Sequence, residues 1–423
     1  MPSNGRGKRG RLGKAIGLGI ITGAADDDPS AIGTYASAGA QFGTSILWIA
    51  PVLLPMMFAV VYLSSKLGQV SGRGLFHVIR DFYPKWLLWV VLAGVMIGNT
   101  IEAAADLGGM AAAINIFIPL PMPWIVSGVA LGLLALQVFG SYAFIRSVFR
   151  WLALALLAYI GAAILAKPEI QPVIAGTLIP SVKFNRGFLA IIVAIIGTSL
   201  SAYIYTWESN QEVEEKIEQG KTRLSQRVGT TEPELAQSRR DIVIGMVFSN
   251  VVVYFIMLST AVTLNVHGHF NIDTAAQAAE ALRPLAGAAA STLFTIGIIG
   301  VGFLAVPVMT AGAAYDLAQS FGWSASLHAR PAEAPRFYWA IATLTAIAVL
   351  LNFLGFNPMQ ALVWSGIVQG VSTPPLLLLI MLMTNNRAIM GDETNSVWMN
   401  CLGWVTTIAV FSASAGLALT LLL

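Results

Sequence analysis

Long apolar runs recur from one end of the chain to the other, and no other feature limits its fold as much. Of 423 residues, 56% are hydrophobic and only 11% charged, where an ordinary soluble domain carries about a quarter charged residues. A membrane helix needs roughly 20 mostly apolar residues. The pattern predicts eleven, near residues 15–36, 46–66, 87–112, 122–140, 150–167, 188–208, 242–264, 289–314, 337–355, 360–384 and 398–421. The expected fold class is an all-α polytopic membrane protein, one transmembrane domain over residues 1–423. The N-terminal basic run Lys8, Arg9, Arg11 and Lys14 before an apolar stretch imitates a signal peptide. Helix-forming sequence resumes after the Asp-Pro interruption, however, so the two halves together read as the first span.

Lys and Arg set the expected orientation through the positive-inside rule. With the N-terminus in the cytoplasm, every Lys and Arg except Lys167, Lys183, Arg186 and Arg283 falls inside. An odd number of spans then places the C-terminus outside, in what is expected to be a bacterial inner membrane. The formal charge of +3 gives no reason to expect a nucleic-acid partner. The one cysteine, Cys401, excludes an intrachain disulfide and cysteine metal clusters.

Two spans are interrupted. The first contains Asp26-Asp27-Asp28-Pro29-Ser30, and the sixth contains Gly197-Thr198-Ser199-Leu200-Ser201-Ala202-Tyr203. Matching interruptions at the start of two five-helix blocks point to an inverted repeat with a substrate site between the broken helices. Repeat one covers about 15–167 and repeat two about 188–384, leaving a helix near 398–421 outside the symmetric core. The charged stretch from Glu208 to Asp241, with Glu212 and Lys216 at a favourable i, i+4 spacing, reads as a solvated helical extension and loop.

A single charge at the membrane centre costs at least ~2.5 kcal/mol, so three adjacent aspartates require compensation. Pro29 donates no backbone hydrogen bond and disfavours helical geometry at Asp28. The carbonyls freed by such a break, beside a carboxylate, are the oxygen ligands that hard cations take. Asp28 is the first candidate ligand. Asp26 and Asp27 line an aqueous entrance, raise the local cation concentration, or occupy a stretch wetter than hydropathy suggests, Asp27 being a further metal candidate.

The segment DPSAIGTYASAGAQFG, from Asp28 to Gly43, resembles the first-helix motif of the NRAMP divalent-metal transporters, Asp-Pro-Gly-Asn ending in Gln-Phe-Gly. GTSLSAYIYTWES, from Gly197 to Ser209, stands where that family has a broken sixth helix with Met-Pro-His. LFTIGIIGVGFLAVPVMTAGAAYDLAQSFGW, from Leu293 to Trp323, is similar to its eighth. The resemblance implies a LeuT-type fold, helices 1–5 and 6–10 forming the repeats, with helices 1 and 6 broken. It also implies divalent-metal uptake, commonly proton-coupled, with the metal as substrate and no cofactor. Ser30 replaces the motif glycine and Ala31 the metal-binding asparagine, while Ser201, Ala202 and Tyr203 replace Met, Pro and His. Loss of the thioether favours magnesium or manganese over softer metals, as in the NRAMP-related magnesium transporters. Magnesium gives up water reluctantly, so Asp28 would touch a partly hydrated ion, with Ser30, Ala31, Ser201 and Tyr203 around it.

Glu102 and Asp106, four residues apart in the third span, share a helical face. They would contact the hydrated cation, relay protons or share one; the resemblance sets Asp106 near an acidic position associated with proton movement. Glu208 stands at the family's sixth-helix histidine, either an exit-path acid or a solvated helix end. Ser372 falls near its tenth-helix glutamine, and Thr373-Pro374-Pro375 beside it reads as a cavity-lining stretch or a proline kink. None of His77, His267, His269 and His328 falls in a predicted span, so weak or absent proton coupling is expected. Glycine- and alanine-rich stretches of spans three and eight, such as Gly108, Gly109 and Gly302, read as packing sites.

The leading expectation is a secondary transporter importing Mg2+ and Mn2+. A proton-coupled Mn2+/Fe2+ carrier and an organic-solute carrier of the same fold are the alternatives. No catalytic signature is present, and no enzyme activity is expected.

Overall fold

The computed structural model describes residues 23, 25–139, 154–327 and 329–422. Among these residues the secondary structure is helical throughout, without strands, as lipid requires of a chain whose backbone must satisfy its own polar groups. The principal helices are α1 (Pro29–Phe42), α2 (Ile49–Ser71), α3 (Lys85–Asn115), α4 (Met122–Phe139), α5 (Ala158–Leu165), α6 (Arg186–Ser199), α7 (Ala202–Glu218), α8 (Glu232–Thr263), α9 (Ala290–Phe321), α10 (Pro335–Asn352), α11 (Pro358–Ser372), α12 (Pro374–Thr384) and α13 (Val397–Leu422). Residues 15–22 and 24 of the predicted first span and 150–153 of the fifth lie outside the described residues, as does His328. Among the described residues, seven helices are long and apolar enough to cross a membrane, or eight with α11 and α12 taken as one span bent by 43°. That bend lies at the Thr373-Pro374 junction, the expected kink. Trp86, Trp124, Trp339 and Trp398 are exposed, apolar surface of the kind that faces lipid.

The first and sixth spans are both broken. Asp28 is extended (φ −67°, ψ 174°) and caps α1, with Pro29 as its first residue, the order in which aspartate and proline start helices. In the sixth span, α6 ends at Ser199 and α7 starts at Ala202, with Ser201 extended (φ −61°, ψ 137°). The Ser201 hydroxyl donates to the carbonyls of Gly197 at 2.9 Å and Thr198 at 3.2 Å. Such local bonding competes with the helical ladder.

The first span packs on α8, while α7 packs on α2; spans one and seven thus correspond to spans six and two, as two related five-helix halves require. Small residues bring these helices together. A Cβ on Gly197 would overlap the Gly366 carbonyl, and one on Gly302 would overlap Met110. Both are the packing role expected of membrane glycines.

The charged stretch between spans six and seven corrects the sequence expectation. Lys216 does not pair with Glu212. It is buried, and its Nζ donates to the carbonyls of Gln69, Arg227 and Gly229, the last two at 2.7 Å. Glu212 accepts from Ser65 and Gln69 at 2.6 and 2.9 Å and from Ser238 at 3.1 Å. Helical spacing fixes which residues are neighbours, but α2 and the loop supply better partners. α8 also begins ten residues before the apolar run, because Thr231 and Glu234 form a capping box there.

Candidate functional site

The two breaks meet at one side chain. Tyr203, in the first turn of α7 and fully buried, donates its hydroxyl to the Ala25 carbonyl at 2.6 Å and to Asp28 Oδ2 at 3.0 Å. The other carboxylate oxygen of Asp28 accepts from the Ala31 amide at 2.6 Å. Ala31 therefore offers the site a backbone donor that steadies the acid.

The acids of α3 reach both breaks. Glu102 Oε1 accepts from the Ser201 hydroxyl at 3.0 Å, and Oε2 accepts from Gln369 of α11 at 2.6 Å. One turn on, Asp106 Oδ1 accepts from the Ser30 amide at 2.9 Å and hydroxyl at 2.6 Å. The Ser30 hydroxyl also accepts from Ser365 at 3.0 Å. Glu102 thus braces the sixth-span break and Asp106 the first. The shared face expected from their spacing is present, each acid serving a different partner. Among the described residues Asp106 Oδ2 has no hydrogen-bond partner.

Asp26 and Asp27 turn elsewhere. Ser249 of α8 donates to Asp26 Oδ2 at 2.9 Å and to Asp27 Oδ1 at 3.0 Å. Both are 1% exposed or less, so the wetter stretch left open by hydropathy is not what they occupy. Ser372 is also set apart: half-buried, it donates to the Gln369 carbonyl of its own helix at 3.3 Å. The tenth-span glutamine that reaches the acids is Gln369 itself, which also donates to Asn99 at 3.0 Å. Ser365 with Gln369, and Asn99 with Glu102, are polar pairs at helical spacing inside apolar spans, a signal that points to both positions. Glu208 is half-buried on α7, beyond the break.

Asp28, Glu102 and Asp106 are fully buried, and among the described residues none forms an ion pair with Lys or Arg. Buried carboxylates in that position require protons or a cation. Among the described residues no three His, Cys, Asp or Glu side chains converge to hold a metal ion. A cation at these breaks would therefore draw on carbonyl, hydroxyl and water oxygens beside a carboxylate, the ligands of hard ions.

Comparison with known proteins agrees with this architecture. The chain is 26% identical over 402 residues to the divalent metal cation transporter MntH of Klebsiella pneumoniae strain 342, covering 92% of this chain and 90% of that one. It is 27% identical over 423 residues to the MntH of Deinococcus radiodurans, covering 99% and 92%. Among solved structures it superposes on a manganese transporter of Eremococcus coleocola with a TM-score of 0.72 at 17% identity, covering 98% of this chain and 87% of that one. For the nucleobase-cation-symport-1 transporter Mhp1 the TM-score is 0.59 at 12% identity, with 96% and 93% covered. These structures share the LeuT-type fold. The model of the natural resistance-associated macrophage protein-like family, Nramp, matches residues 19–420, and the chain belongs to that family of integral membrane proteins.

Proposed function

We propose that this protein is a secondary transporter of divalent metal cations that binds its substrate between the broken first and sixth spans. The observation that carries the proposal is the Tyr203 hydroxyl joined at once to the Ala25 carbonyl and the Asp28 carboxylate. It gathers oxygen atoms beside the two breaks. Metal-transporting relatives along nearly the whole chain support the same substrate class. Two five-span halves, about 15–167 and 188–384, would rock about this site in a bacterial inner membrane with the N-terminus inside. The activity is transport rather than catalysis, and the metal is its substrate.

The finer proposal is Mg2+ with Mn2+, held partly hydrated. Support comes from the ligand chemistry: Ala31 and Ala202 carry no ligating side-chain atom, and Asp28, Ser201 and Tyr203 offer only oxygen. An inside-negative potential supplies about 4.6 kcal/mol per 100 mV for a divalent ion, enough to drive uptake with weak or no proton coupling. Flux of Mg2+, Mn2+ and Ca2+ into proteoliposomes, with internal pH recorded, tests this; Mg2+ and Mn2+ entry that follows the potential is the expected result. Strong preference for cadmium or iron over Mg2+, or proton influx accompanying the metal, overturns it in favour of a proton-coupled Mn2+/Fe2+ carrier. That second reading draws on the MntH relatives and on two buried acids, Glu102 and Asp106, able to carry protons.

A further inference from the structure

Below the breaks lies an acid that the site above does not use. Asp316 of α9 is fully buried, and among the described residues neither of its carboxylate oxygens meets a donor in full hydrogen-bond geometry. Its neighbours are Thr206 and Asn210 of α7, three and seven residues beyond Tyr203 and so on the same helical face. Asn210 is also buried, and among the described residues its Nδ2 meets no acceptor in full hydrogen-bond geometry. Leaving a buried polar side chain short of partners is costly, more so when it is charged. Thr206 and Asn210 are the donors that face the acid, yet neither closes to full hydrogen-bond geometry, which leaves its carboxylate open to a further ligand.

What lies beyond this acid gives it direction. Asn210, Tyr315 and Gln319 line a half-open cavity of about 270 Å³ between α7, α9 and the short helix Leu75–Phe82. Asn210 Oδ1 accepts from Gln319 Nε2 at 2.6 Å. That pair closes over Gly74, where any Cβ would overlap both side chains. The Thr206 hydroxyl meanwhile donates to the Tyr203 carbonyl at 3.3 Å. Oxygen-bearing groups thus continue along α7 from the breaks, through Thr206 and Asp316, to an amide pair at the mouth of the cavity. Opposite Thr206 stands Gly312, whose missing side chain leaves open space on that face of α9.

We infer that Asp316, Thr206 and Asn210 form a second divalent-cation site, a way-station that the substrate occupies after leaving the breaks and before the Asn210–Gln319 pair parts. The chemistry is that of a hard cation: one carboxylate and a hydroxyl with water for the remainder, the Asn210 carboxamide oxygen joining only as its bond to Gln319 breaks. Arg73, Arg80 and Arg227 line the cavity beyond. Glu214, already bonded to the Tyr315 and Ser326 hydroxyls, shares that mouth with them, so a cation leaving Asp316 meets a lining of net positive charge there.

This inference rests on the transport function proposed above, and its test separates the two. Mn2+ binding to the purified protein is measured by titration calorimetry, with Mn2+ uptake by proteoliposomes alongside. The unaltered protein is expected to show a tight and a weaker class of sites. Asp28→Ala should abolish the tight class and keep the weaker one. Asp316→Asn should raise the dissociation constant of the weaker class by about tenfold or more and lower the maximal uptake rate, with the half-saturating external concentration unchanged. Thr206→Val, which leaves the acid in place, should weaken the same class to a smaller extent. Asp28→Ala protein with no residual Mn2+ binding, or Asp316→Asn protein with the weaker class intact, overturns the second site while leaving the central one standing. Unaltered protein that binds no Mn2+ overturns both.

Discussion

Tyr203 holds Asp28 by a 3.0 Å hydrogen bond from its hydroxyl to a carboxylate oxygen, so the break of one span is fastened by the first turn of the other. The same hydroxyl serves the Ala25 carbonyl. Tyr203→Phe leaves both acceptors buried without it, at a cost of about 1–3 kcal/mol. Thermal unfolding in detergent should show the loss, and metal uptake should require a higher external concentration. Unchanged uptake would separate this tyrosine from the transport site.

Asp28 carries two duties that one substitution pair can resolve. As the cap of α1 its loss costs about 1 kcal/mol, and as the proposed ligand its loss ends transport. Asp28→Asn keeps a capping oxygen and Asp28→Ala does not. Both should abolish Mg2+ and Mn2+ flux, with only the alanine variant losing the capping contribution to stability. Flux retained in either variant would remove the central assignment.

Gln369→Leu should act through Glu102. It removes the 2.6 Å bond to Glu102 Oε2 from a carboxylate that is fully buried. The expected destabilisation is about 1–3 kcal/mol; pairing the change with Glu102→Leu should recover part of it, since both polar partners then go together. A double-mutant cycle on unfolding midpoints measures the coupling.

Glycines at helix contacts should respond in opposite ways to alanine. Gly197→Ala sets a methyl against the Gly366 carbonyl and should cost about 1–3 kcal/mol or more as overpacking. Gly128→Ala, in α4 with open space around the added carbon, should gain about 0.5–1 kcal/mol from helix propensity. Melting of the two purified variants in one detergent decides it.

A pH effect is expected outside the membrane spans. Burial lowers the pKa of His77 below its usual 6.5, against the opposing pull of Asp81, whose Oδ2 lies 3.3 Å from Nε2. The folded chain therefore binds this proton less readily than the unfolded chain does. The stability His77 contributes is present above about pH 6.5 and falls as pH drops beneath that value. His77→Gln should flatten this part of the stability profile.

Much of this architecture is legible in the sequence because lipid imposes simple rules. Long apolar runs have to be helices, and Pro29 beside Asp28 has to interrupt one. The break in the sixth span, written only as Ser199-Leu200-Ser201, is legible for the same reason: small hydroxyl residues offer the backbone another partner. What hydropathy does not carry is which partner a polar side chain chooses across the bundle. Lys216 has a suitable acid one turn away and goes instead to three carbonyls of α2 and the following loop. Gln369 lies three residues before Ser372, and only the packing of α11 against α3 decides which of them meets Glu102. Asp26 and Asp27 turn to Ser249, a contact more than two hundred residues distant that no local pattern announces.

The bare seam between Gly197 and Gly366 has a mechanical corollary. With backbone pressed on backbone, the first halves of the sixth and tenth spans form one plate, and neither can slide without the other. Each half ends just past that seam, at Leu200-Ser201 in one helix and at the 43° bend before Pro374 in the other. The two flexure points therefore stand side by side, and a rocking movement that bends either one delivers its torque straight to Ser201 and Gln369, the residues gripping Glu102.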